Sequence, residues 1–76
     1  MTGIDKEQFF VFIGTEDDVQ HYRKLLEHLR QQGNHVIVVT LEDAEYPTLI
    51  TPYGMYVGRA DIDFVAKEFL EEENKG

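Results

Sequence analysis

The sequence predicts a small α/β domain in the order β-α-β-β-β-α, with a four-stranded mixed sheet whose first two strands are parallel and whose last two form a hairpin. Three observations carry this. Two continuous apolar runs, over 8–14 and 35–41, bracket a segment with helical periodicity. Two short β-prone segments flank Pro52-Tyr53-Gly54. A second helical periodicity then closes the chain over 61–73.

The first strand is Gln8-Phe9-Phe10-Val11-Phe12-Ile13-Gly14, aromatic and β-branched, apolar on both faces and ended by glycine. A helix follows. Thr15 with Asp18 three residues on is a capping-box pattern, and Glu16, Asp17 and Asp18 suit the positive end of a helix dipole. Val19, Tyr22, Leu25, Leu26 and Leu29 share one face, Gln20, Arg23, Lys24, Glu27 and Gln31 the other, and Gly33 supplies a left-handed stop. The second strand is His35 to Leu41, so a short strand–helix–strand unit with parallel strands is expected.

From Glu42 to Tyr46 there is too little chain for a useful helix, and Pro47 holds Tyr46 extended. Thr48 to Thr51 and Met55 to Arg59 form the hairpin, with Pro52 and Gly54 suited to a type I turn and its exit. The last helix carries Ile62, Val65, Ala66, Phe69 and Leu70, is opened by Asp61 and Asp63, and trails into Glu71-Glu72-Glu73. Acids at that end oppose the helix dipole, so fraying is expected, with 1–7 and 72–76 as flexible ends of a single domain spanning 1–76.

Composition narrows the function classes. With 76 residues there is room for one domain, which buries only about 60% of its unfolded surface. No cysteine is present, which excludes thiol or disulfide chemistry and argues against a secreted disulfide scaffold. The start lacks the basic segment and apolar run of a signal peptide, and no run of about 18 apolar residues occurs, so a cytoplasmic protein without a membrane span is expected. The net charge is −8, with nine acids against three bases in 41–76, and no basic stripe is available to displace counterions from DNA or RNA. No nucleic-acid or membrane partner is expected.

Over about residues 9–70 the chain resembles the thioredoxin superfamily, and within it the small glutaredoxins. The matching residues are Tyr46-Pro47-Thr48-Leu49-Ile50, Gly54, Tyr56-Val57-Gly58 and Asp61-Ile62, in the family's order and roughly its spacing. The resemblance implies a cis Pro47 opening the third strand, beside which the backbone of Tyr46 pairs with an extended ligand. Tyr46, Pro47, Tyr53 and Arg59 are the protein- or peptide-binding residues it points to. Two departures stand out. The family's cysteine motif is replaced by Thr15-Glu16-Asp17-Asp18-Val19-Gln20, where three carboxylates reverse the positive potential that a reactive thiol needs. The family's middle helix is missing.

That deletion creates a tension. Phe9, Val11 and Ile13 point one way from the first strand and Phe10, Phe12 and Gly14 the other, while Val36 and Val38 oppose Ile37 and Val39. With both helices on one face, as in the family, the opposite face is a larger apolar patch than a monomer normally shows. Residues 1–7, a second copy, a partner, or the last helix crossing over are the candidates to cover it, and self-association as a homodimer is expected.

Other constellations point less far. His21, His28 and His35 recur every seven residues, about 10.5 Å apart along one helix, too far to share an ion, so no metal and no cofactor is expected. Gly54 and Gly58 serve the turn and strand end rather than a phosphate loop. Tyr56 reads as core, and Arg59 as pairing with Asp61 or Asp63, themselves helix-start charges. The function expected is a non-catalytic protein- or peptide-binding module. A small enzyme using carboxylate or histidine acid–base chemistry, or a purely structural dimerisation module, are the alternatives.

Overall fold

A computed structural model describes residues 8–75, with side chains as far as residue 70; the expected flexible segment 1–7 lies outside the described residues. The elements are β1 (Phe9–Gly14), α1 (Glu16–His21), α2 (Arg23–Gln31), β2 (His35–Thr40), β3 (Thr48–Thr51), β4 (Gly54–Val57) and α3 (Arg59–Lys75). They form a four-stranded sheet in the order β2-β1-β3-β4, with β1 and β2 parallel and the other pairs antiparallel. The chain leaves β2, steps past β1 without a helix, and returns as β3. No helix among the described residues is long and apolar enough to cross a membrane.

Local chemistry explains the boundaries. Asp18 N–H donates to Thr15 Oγ1 at 3.2 Å and Thr15 N–H donates to Asp18 Oδ2 at 3.1 Å, a reciprocal box that satisfies two N-terminal donors of α1. The single helix expected over this region is divided at Tyr22, whose backbone (φ −102°, ψ 17°) leaves the α region. Hydrogen bonds still run through it, from Tyr22 N–H to Asp18 O and from Leu26 N–H to Tyr22 O, both 3.0 Å. The division is therefore a bend, placed at the residue whose hydroxyl reaches α3. Gly33, at φ 94°, ends α2 as expected, and Leu29 O at that end accepts from the Asn34 backbone N–H at 3.2 Å and from the Asn34 side chain at 2.9 Å. At the hairpin, Thr51 Oγ1 accepts from Tyr53 N–H (3.0 Å) and Gly54 N–H (3.1 Å), pinning the turn from its first residue. α3 begins at Arg59, before the expected opening at Asp61, and runs through the acidic stretch to Lys75.

Every helix packs on the same face of the sheet. Phe10 and Phe12 of β1 and Leu49 of β3 meet Tyr22, Leu25, Leu26 and Leu29 from the first helical stretch and Ile62 and Ala66 from α3. Phe10 lies edge-on to Phe69 at 5.9 Å, and Tyr56 packs against the cluster as expected. Gly14 lets α1 start this close to the sheet: a Cβ there would sit 2.9 Å from Asp18 Cβ and 3.2 Å from the Phe12 ring.

The other face carries no helix among the described residues. Strand register aligns Ile37, Val11, Ile50 and Met55 in one row and Val39, Ile13, Thr48 and Val57 in the next, with His35 and Phe9 at the margin. Phe9, Ile37, Val39, Met55 and Val57 are all exposed, Met55 at 64%. The last helix does not cross to this side.

Candidate functional site

The region where the resemblance places a catalytic thiol, between β1 and the first helix, is occupied by an ion pair. Asp18 is buried at 6% exposure, and its Oδ1 accepts from Arg59 Nη2 at 2.7 Å and Arg59 Nε at 3.2 Å. Its Oδ2 accepts from Thr15 N–H and from the Thr15 hydroxyl at 2.9 Å. Both carboxylate oxygens are thus engaged. The Arg59 guanidinium, helped by the Thr15 donors, holds the Asp18 carboxyl below its ordinary range despite the opposing effect of burial. Arg59 in turn is held more firmly in its charged form by Asp18.

A second contact runs beside it. Tyr22 donates its hydroxyl to Asp63 Oδ1 at 2.7 Å, and Arg59 O lies at 3.4 Å. Burial, and then the Asp63 carboxylate, push the Tyr22 phenol well above its usual range. Arg59 therefore pairs with Asp18 across the domain and not with Asp61 or Asp63, because its position at the first turn of α3 aims it at the start of α1. Chemically, this set ties two helix starts together. Both Asp18 oxygens and the Tyr22 hydroxyl are engaged within it, and two of the five Arg59 N–H donors go to Asp18.

The four residues singled out from the sequence are not one site. Tyr46 is exposed and Pro47 buried at the entry to β3, near Arg59, since Gly58 N–H donates to Pro47 O at 2.8 Å. Tyr53 lies at the hairpin tip, at the far end of β3, where its hydroxyl accepts from the Gln8 amide at 3.1 Å. No cis peptide bond occurs among the described residues, so the Tyr46–Pro47 bond is trans and not cis as the resemblance implies. The connection from β2 is short, with a turn closed by Ala44 N–H donating to Leu41 O at 3.2 Å and a bend at Glu45 and Tyr46, and it delivers Pro47 to β3 through a trans bond. The histidines are dispersed: His28 is buried within α2, His21 is exposed with its ring edge-on to Tyr22 at 4.6 Å, and His35 stacks on Phe9 at 4.7 Å. No group of three metal-ligating side chains occurs among the described residues.

Two features went unseen in the sequence. Asp18 reads there only as a helix cap; the surplus of acids at α1, with Arg59 the one arginine in 41–76, was the available signal for its second role. The other is a groove of about 400 Å³ between the first two helices and β2, lined by Val19, Gln20, Arg23, Leu26, Glu27, Arg30 and Val38. No family model, curated protein or solved structure matches this chain.

Proposed function

We propose that this chain is a non-catalytic, thioredoxin-like interaction module without thiol chemistry, which associates with a second copy of itself through the helix-free sheet face. One observation carries the reading: two cross-strand rows of mostly apolar side chains lie on that face with five large apolar residues exposed. None of the face residues named above is acidic, and none is lysine or arginine. A charged partner finds no anchor there, whereas a second copy packs sheet on sheet at about 10 Å and keeps both sets of helices outward.

The size of the face sets the strength. Strand spacing and residue rise give it roughly 19 by 20 Å, on the order of 400 Å² per copy. A standard stable interface takes about 800 Å² per partner, so a weak, reversible dimer follows. The test is a dilution series of amide spectra, in which Val11, Ile13, Ile37, Val39 and Ile50 shift with concentration while helical amides hold still. Concentration-dependent shifts confined to the helices, with the sheet face unchanged, overturn the reading.

A further inference from the structure

We infer that the outer edge of β2, together with the groove beside it, is a second binding surface that accepts an extended acidic segment of another protein as an added antiparallel strand. It stands on the strand edge and the helix-side groove rather than on the helix-free face.

β2 is the terminal strand among the described residues, and its edge has a defined polarity. His35 N–H donates to Gln8 O at 2.9 Å and Leu41 N–H to Gly14 O at 2.8 Å, so odd-numbered residues turn their backbone groups inward to β1. Backbone alternation then directs those of Val36, Val38 and Thr40 outward. The strand reads His-Val-Ile-Val-Val-Thr, without the proline, lysine or bulge that blunts a free edge. One outward group is already claimed: Arg30 Nη2 donates to Val36 O at 3.2 Å. Val38 and Thr40 are left as the pairing positions.

Charge selects the occupant. In a chain of net charge −8 with three arginines, two of them, Arg23 and Arg30, line the groove that borders this edge on its helix side. Its apolar floor is Val19, Leu26 and Val38. Arg23 already meets Glu27 at 3.2 Å, an exposed pair that an incoming carboxylate can share. Arg30 uses one donor on Val36 O, and a guanidinium has five. An added strand places alternate side chains over the groove, where glutamate lays its methylenes on Val38 and its carboxylate on Arg30. The intervening side chains lie beside Ile37 and Val39 and are best aliphatic. Antiparallel pairing is the more stable arrangement per residue.

The probe is an acetylated, amidated heptapeptide alternating valine and glutamate, titrated into the isotope-labelled full chain. Expected are amide shifts centred on Val38 and Thr40, binding that weakens with salt, and at least several-fold weaker binding when lysine replaces glutamate. Arg30→Ala and Arg23→Ala should each weaken binding by up to about five-fold, the upper end for exposed ion pairs, with unchanged thermal unfolding. In an antiparallel addition the glutamate amides face β2, so N-methylating them abolishes binding, whereas N-methylating the valine amides leaves it intact. The inference is overturned if the methylated peptides bind like the parent, if the lysine peptide binds as tightly, if no binding occurs, or if the shifts centre on Val11, Ile50 and Met55.

Discussion

The guanidinium of Arg59, the first residue of α3, lies 2.7 Å from Oδ1 of Asp18, in the first turn of α1 and 41 positions earlier. This contact joins the starts of α1 and α3 and converts a capping carboxylate into a tertiary cross-link. Arg59→Met should lower the unfolding temperature and let the Asp18 carboxyl titrate closer to its ordinary value, as read by carbon-detected titration. An Asp18 that titrates identically in both proteins contradicts the assignment.

The same pair sets the acid limb of stability. Asp18 titrates below its ordinary 3.8, so its contribution is complete above that value and drains away as pH falls through the folded-state pKa. Urea midpoints measured from pH 5 down to 2 should therefore drop below about pH 4. The slope should be shallower in Arg59→Met. At the other extreme Tyr22 is raised above its ordinary 10.0, so its contribution is whole below that value and declines as pH climbs through the folded-state pKa.

Gly14→Ala should destabilise through the added Cβ, which meets Asp18 Cβ at 2.9 Å. Overpacking of this kind costs about 1–3 kcal/mol. Thr15→Ala, which removes the α1 cap, should cost about 1 kcal/mol. Chemical unfolding of the two variants checks both, and a neutral Gly14→Ala contradicts the close approach of α1 to the sheet.

The two sheet faces should respond oppositely to substitution. Phe12 is fully buried, and Phe12→Ala should cost about 3–5 kcal/mol, a large share of what a domain this small possesses. Ile37 is 48% exposed, and Ile37→Lys should change the stability of the isolated domain by less than about 0.5 kcal/mol. Denaturant midpoints at high dilution separate the two.

Much of the sheet was legible because apolar runs, turn residues and caps act locally. Phe10 and Phe12 against Phe9, Val11 and Ile13 is an alternation that strand geometry alone divides between two faces, and the short 41–47 connection leaves no room for a helix between β2 and β3. What was not legible depends on tertiary aim. Arg59 has acids two and four residues away in sequence, yet the packing of α3 turns it to Asp18; Tyr22 fits the helical period but bends the backbone where its hydroxyl meets Asp63. The trans bond before Pro47 departs from what the family resemblance implies, since a shortened connection changes how the chain enters β3. Arg23 reads as a polar-face charge, and its place with Arg30 in a groove beside β2, the terminal strand among the described residues, is set by tertiary packing.

Sedimentation equilibrium of the wild-type chain and Ile37→Lys, from micromolar to millimolar concentration, addresses the central claim most directly. A reversible monomer–dimer equilibrium in the wild type that Ile37→Lys abolishes, with both proteins equally folded, is the result expected of a helix-free face that pairs with its copy. A wild-type chain that stays monomeric to millimolar concentration, or a dimer that Ile37→Lys leaves untouched, contradicts it.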